Sequence, residues 1–281
     1  MRNKNVIVIT GANDTFYCSM KKLFLSLVVA AFALSCSQDK SQKVLVLYYS
    51  QTSNTKAVAE QLQAALGADI EEIVAVNPYD GDFGATIDRF RKEMEEHVLP
   101  EIQPVKADIN SYDVIFLGYP VWFGTYAPPV AALLETTDFS GKKIVPFCTF
   151  GSGGLDSSEK ALKEKLPKAE ILPGYGVRAA RMDAVPAELD RFLKAGGYIA
   201  GEYTPLPEFS ESHAVSEEEA GIFDAAVGSY PMINATAVEA ASRTVPEGVE
   251  YLFTADDKNG QIKVYVLVEN DRDPVFTQVI R

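Results

Sequence analysis

The sequence predicts an α/β domain, a five-stranded doubly wound parallel sheet, followed by a small α+β module. Three observations predict it. Apolar runs alternate with helical spacings from Lys43 to Ala195, and such alternation requires a parallel sheet covered on both faces. The unusual loops follow strands one, three and four, at the carboxyl ends where open α/β sheets collect ligands. A Pro-rich stretch, TPLPEFSE at 204–211, then separates this rhythm from one helical and four strand-like segments.

The elements follow in order. KVLVLYYS (43–50) is a continuous apolar run, the mark of a strand buried on both faces. Asn54 to Leu66 carries Ala57, Val58, Leu62, Ala65 and Leu66 at helical spacing, with Gly67 placed as C-cap. Asp69 to Val76 is a second strand, Asn77 to Gly84 a turn-rich loop, and Ala85 to Glu96 a charged amphipathic helix. Tyr112 to Gly118 is strand three, and Pro128 to Leu134 a helix opened by proline. Lys143 to Cys148, Leu155 to Leu166, Glu170 to Val177 and Pro186 to Ala195 complete the alternation. The strand order 2-1-3-4-5 is one of two common solutions and places ligands at the ends of strands one and three. Beyond the linker, Ser216 to Val227 is helical. Ala235–Thr244, Val249–Ala255, Gln261–Val268 and Val275–Ile280 read as antiparallel strands separated by PEG and DDKNG turns.

Composition bounds the function. Apolar residues make up 47% and charged residues 23% of 281, values that suit a core-forming protein. The formal charge of −13 argues against a nucleic-acid partner, which needs a basic face. An acidic surface serves solubility and can steer a basic protein partner. Cys18, Cys36 and Cys148 form no CxxC pair, and His97 and His213 are the only histidines, so no metal site is expected.

The N-terminal region reads as an address. Met20-Lys21-Lys22, the apolar run LFLSLVVAAFAL and Ser35-Cys36 have the order of a secretory signal peptide. The apolar run falls short of the roughly 20 residues that span a bilayer. Ala33-Leu34-Ser35-Cys36 resembles a bacterial lipoprotein cleavage box, with Ala33 where leucine is usual. That resemblance implies lipidation of Cys36, and the Ser-rich charged stretch SQDKSQK suits a tether. Residues 1–19 contain VIVITGA without a following helix, and the expectation is a start assigned upstream of the real one at Met20. The expected organisation is therefore 1–19 spurious, 20–36 signal peptide ending at the lipidation cysteine, and 37–42 tether. A main domain at 43–203, a linker at 204–212 and a terminal module at 213–281 follow. The expected location is the extracytoplasmic side of a cell envelope, in the periplasm or at the outer membrane, with the membrane reached through the lipid.

Three loops carry the chemistry. Ser50-Gln51-Thr52-Ser53-Asn54-Thr55 presents hydroxyls and successive N–H groups at a helix N-terminus, an anion site. It lacks the lysine and spacing of a nucleotide triphosphate loop. A Ser/Thr N-cap alone would need fewer polar residues. Gly118 to Thr125 (GYPVWFGT) holds the sole tryptophan among aromatics, a flat surface on which an isoalloxazine can stack, unless Trp122 merely fills the core. Thr149-Phe150-Gly151-Ser152-Gly153-Gly154 has three glycines that permit close approach of a ligand.

Together these loops resemble the flavodoxin family over about 160 residues. SQTSNT resembles its phosphate loop, GYPVWFG with Pro128-Pro129 the flavin loop of a bacterial branch, and FCTFGSGG that branch's third loop. The resemblance implies flavin mononucleotide (FMN) as cofactor. It places Ser50, Thr52, Asn54 and Thr55, with Gln51 and Ser53 in the same loop, on the phosphate. Pro120, Val121, Trp122, Phe123 and Gly124 bracket the ring from one side, with Trp122 as stacking partner. Thr149, Phe150, Gly151, Ser152, Gly153 and Gly154 do so from the other. Phe150 departs from the small hydroxylated residue usual in that branch. The terminal module resembles the cystatin-like fold. Its turn Thr244-Val245-Pro246-Glu247-Gly248 keeps one valine and the glycine of the inhibitory hairpin, so docking or scaffolding is expected rather than protease inhibition.

The functional expectation is a membrane-tethered FMN protein that transfers electrons to a redox partner protein, with no catalytic side chain. The alternatives are an NAD(P)H-dependent quinone or flavin reductase on the same fold, and a non-redox envelope binding protein that has lost flavin.

Overall fold

The computed structural model describes residues 42–228, 230–270 and 272–281. The expected signal peptide, Cys36 and nearly all of the tether lie outside the described residues. Among the described residues no helix is long and apolar enough to cross a membrane, and no cluster of His, Cys, Asp and Glu could hold a metal.

The first layer is a parallel sheet. Strands β1 (Val44–Tyr48), β2 (Asp69–Glu72), β3 (Val114–Trp122), β5 (Lys143–Phe150), β6 (Glu170–Ile171) and β7 (Tyr175–Arg178) lie in the order β2-β1-β3-β5, with β6 and β7 both beside β5. This is the expected 2-1-3-4-5 order with the fifth strand in two pieces. The break has a backbone cause: Pro146 in β5 and Pro173 between β6 and β7 each lack an N–H, so the ladder cannot run through them. Pairing resumes where Phe147 meets Tyr175.

Period-two alternation divides the strand residues between two cores. Leu45, Leu47, Ile115, Leu117, Ile144 and Cys148 face one core, which α3 (Pro128–Thr136) and α4 (Leu155–Lys165) close with Val130, Leu133 and Leu162. Val46, Phe116, Val145 and Phe147 face the other, closed by Val58 and Leu62 of α1 (Asn54–Leu66) and by Leu189 and Leu193 of α5 (Val185–Ala195). Gly67 caps α1 in the left-handed region, φ 61°, and its N–H donates to the Gln63 carbonyl. Helix α2 (Phe83–Glu96) starts two residues before the expected position because the Asp82 carboxylate accepts the Ala85 N–H at 2.8 Å.

The terminal module is a five-stranded antiparallel sheet, β12-β11-β10-β9-β8. Its strands are β8 (His213–Ala214), β9 (Ala235–Val245), β10 (Gly248–Asp257), β11 (Gly260–Glu269) and β12 (Val275–Ile280). Helix α6 (Glu217–Val227) opens with a capping box between Ser216 and Glu219. It buries Phe223 against Phe253, Val264 and Phe276. The two-residue strand β8 was not expected; it is too short for an alternation signal.

Candidate functional site

The site gathers at the carboxyl ends of β1, β3 and β5. Loop one joins β1 to α1. Ser53, at the N-cap, has φ 66° and makes no side-chain cap. Ser50 does that work instead, its Oγ accepting the Lys56 N–H at 3.2 Å. A serine held in the left-handed region costs on the order of 1–3 kcal/mol, and such strain concentrates at ligand sites. Thr52 and Ser53 are exposed, Ser50 and Asn54 partly so. The N–H groups of Asn54 and Thr55 open α1 and have no intrahelical acceptor. Gln51 is turned elsewhere: its Nε2 donates to the Tyr79 carbonyl at 3.1 Å and the Thr86 hydroxyl at 2.9 Å, so it ties loop one to the β2–α2 connection.

The second segment was expected as a loop and is mostly strand. Strand β3 continues through Trp122 and turns back at Phe123-Gly124 into β4 (Thr125–Tyr126), with Val121 opposite Tyr126 and Trp122 opposite Thr125. Phe123 at φ 49° and Gly124 at φ 82° form a two-residue turn with both central residues left-handed. An aromatic residue is strained there, yet Phe123 is 62% exposed, with one face of its ring stacked on Phe90, 4.8 Å between centroids. Gly118, the first residue of the segment, faces the core. A Cβ on it would lie 2.1 Å from Phe147 Cζ, so this glycine makes room for an aromatic ring.

Trp122 stands in an aromatic cage, edge-on to Tyr79 at 5.0 Å, Phe90 at 5.9 Å and Tyr49 at 6.3 Å. The cage is locked from outside. The Tyr79 hydroxyl donates to Glu93 at 2.5 Å, Arg89 pairs with Glu93 at 2.8 Å, and the Arg89 guanidinium lies 3.7 Å over the Tyr79 ring. Burial, then the Glu93 hydrogen bond, drives the Tyr79 phenol well above its ordinary range; burial holds Tyr49 up to about 12. Both stay neutral. Sequence reasoning missed Tyr79 and Phe90. Phe90 lay on the apolar face of an amphipathic helix, but nothing local aimed that face at Trp122.

The third segment divides in two. Thr149 and Phe150 end β5 and are buried. Thr149 Oγ1 lies 2.8 Å from Thr55 Oγ1, which joins the third segment to the first. Phe150 is expected from the resemblance to bracket the flavin ring. The structure puts its side chain in the core, where a Cβ on Gly176 would come within 2.8 Å of it. Gly151 to Gly154 remain at the surface. Gly154, φ 125°, packs on Val121, and the Ser157 hydroxyl donates to the Gly124 carbonyl at 2.6 Å, so segments two and three touch. A cavity of about 560 Å³ is bordered by Gly124, Ser152, Gly153, Lys160 and Val279.

A family model described as flavodoxin matches residues 43–186. The chain belongs to the flavodoxin family. The match spans the parallel sheet and its three loops, while the terminal module lies outside it. Among solved structures, the flavodoxin domain is similar to a candidate flavoprotein of Bacteroides eggerthii, 33% identical over 53% of this chain and 96% of that one, with a TM-score of 0.46. It is similar to a second candidate flavoprotein, from Bacteroides uniformis, at 26% identity, 54% and 99% coverage and a TM-score of 0.48. A flavoprotein of Lactobacillus acidophilus, solved in complex with FMN, is 25% identical over 53% of this chain and 97% of that one, at a TM-score of 0.45. No curated protein matches the chain.

Proposed function

We propose that the flavodoxin domain holds FMN across its three loops and passes electrons between FMN and a partner protein. The residues present fit the cofactor that the family implies. At the N-terminus of α1 the donor set is hydroxyls and orphan N–H groups, with no acidic residue in the first turn, which suits a phosphate dianion. Ser50, Thr52, Ser53, Asn54 and Thr55 would hold it, with Gln51 fixing the loop from outside. Trp122 and Phe123 offer aromatic surface for the ring, and Gly151 to Gly154 offer backbone N–H donors, the carbonyls of Gly151, Ser152 and Gly154 being engaged within the protein. FMN supplies the redox chemistry when bound.

The observation that carries the carrier reading is the chemistry of the loops: none of their residues from 50–55, 120–124 and 149–154 ionises. Loops of this kind bind and orient a ligand without themselves supplying an ionisable side chain. The formal charge of −13 would steer a basic partner to the surface.

We also infer that Cys36 carries a lipid that tethers the domain outside the cytoplasm. The signal-like segment ends at that cysteine, and the first described strand begins at Val44. A chain exported unfolded must then take up FMN after folding. Titration of the purified, FMN-free protein with FMN tests the central reading: one equivalent should quench flavin fluorescence, and the loaded protein should exchange electrons with one-electron mediators while leaving NADPH unconsumed. Failure to bind FMN removes the reading, and sustained NADPH oxidation replaces the carrier with a reductase. Cys36→Ser should move the protein from the membrane fraction to the soluble one; an unchanged distribution refutes the tether.

A further inference from the structure

The terminal module does not merely follow the flavodoxin domain; it grips the third loop. Val279 of β12 donates its N–H to the Ser152 carbonyl at 2.7 Å. One residue on, a Cβ at Gly153 would lie 2.1 Å from the Val279 carbonyl oxygen, and a Cβ at Gly151 would lie 2.8 Å from the Tyr230 hydroxyl. These two glycines therefore admit the module to the loop. Arg178, at the end of β7, bridges the two bodies: its Nε donates to the Gly151 carbonyl at 2.8 Å and its Nη1 to the Phe276 carbonyl at 2.7 Å. The side chain is 8% exposed, its guanidinium lies 3.4 Å over the Phe276 ring, and its partners here are carbonyls rather than a carboxylate. Val279 and Gly153 also border the cavity that reaches Gly124 of the second segment.

We infer that the terminal module is part of the cofactor site, with β12 and Arg178 setting the conformation of Gly151 to Gly154 in which the loop meets the flavin. The inference rests on the FMN reading above and deepens it. Arg178 is a positioning residue. Its planar fork reaches two carbonyls on two bodies, which the single ammonium of a lysine cannot do in the same geometry. A contact that orders a binding loop is also reciprocal: if the module favours FMN, FMN favours the docked module by the same factor.

The test uses the full chain, measuring FMN affinity by fluorescence titration and amide exchange by mass spectrometry. Gly153→Ala pushes a methyl into the Val279 carbonyl, and Arg178→Met removes both bridging donors. Each should weaken FMN binding by about tenfold, within the usual range of coupling between sites, while far-UV circular dichroism stays that of the parent. Arg178→Lys should recover part of the loss. In the parent protein, saturating FMN should slow exchange in residues 275–281 and leave α6 unchanged, a readout that needs no variant to fold. Unchanged exchange in 275–281, or variants that bind FMN within twofold of the parent, overturns the inference while the FMN reading stands. A parent protein that binds no FMN overturns both.

Discussion

The hydroxyl pair between loops one and three permits a quantitative test of how the site is held together. Thr55 and Thr149 are 1% and 4% exposed, and their Oγ1 atoms lie 2.8 Å apart. Replacing either by valine conserves shape and leaves the other hydroxyl buried without that partner, at a cost of about 1–3 kcal/mol. Replacing both removes the pair together, so the double variant should lose little more than either single one. Urea unfolding followed by the fluorescence of Trp122, the only tryptophan, reports on this domain. With a denaturant slope of about 1–3 kcal/mol/M, a loss of about 2 kcal/mol moves the midpoint by roughly 1 M. The expected coupling is about 1 kcal/mol or more. Single effects that add to within about 0.5 kcal/mol in the double variant would refute the hydroxyl pair as a link between the loops.

Gly118→Ala places a methyl against the Phe147 ring, which is fully buried. It should destabilise the flavodoxin domain by about 1–3 kcal/mol, as overpacked cores do, with part of the loss recovered by adding Phe147→Leu; a neutral single variant in the same urea assay contradicts the packing. The Glu219 carboxyl is held below its ordinary pKa of 4.5, first by the Ser216 N–H, then by the Ser216 hydroxyl and His213. Its contribution is full above the unfolded value and lost as pH falls through the lower folded one. The thermal midpoint of the terminal module should therefore fall below about pH 4.5, and Glu219→Gln should flatten that acid limb; parallel limbs in the two proteins exclude the capping box as its source.

The sheet was legible because its central strands β1, β3 and β5 are largely buried on both faces. Continuous apolar runs such as VLVLY and VIFL need no partner to be recognised. The positions of the three loops followed from topology, and loop one lies where expected because its place is local, a strand end running into a helix start, while the turning of Gln51 toward Tyr79 and Thr86 is not local. What was illegible is non-local. The extension of β3 to Trp122 depends on pairing with Tyr126 across a turn whose first residue, Phe123, defies the usual turn chemistry. The cage around Trp122 draws Tyr79 and Phe90 from a loop and a helix with no shared pattern. The glycines of segment three read equally well as room for a ligand or for a strand. Gly151 and Gly153 face the terminal module.

Strand β12 is an outer strand of its sheet, and β8, at the other side, is only two residues long. Exposed strand edges recruit further strands from other molecules. In this chain the Val279 N–H and the Phe276 carbonyl of that strand are occupied by Ser152 and Arg178, so the flavodoxin domain covers part of the edge. A fragment cut in the linker near residue 204 should release a module with a bare edge and a tendency to form oligomers. Size-exclusion chromatography of that fragment checks the consequence, and a fragment that stays monomeric refutes it.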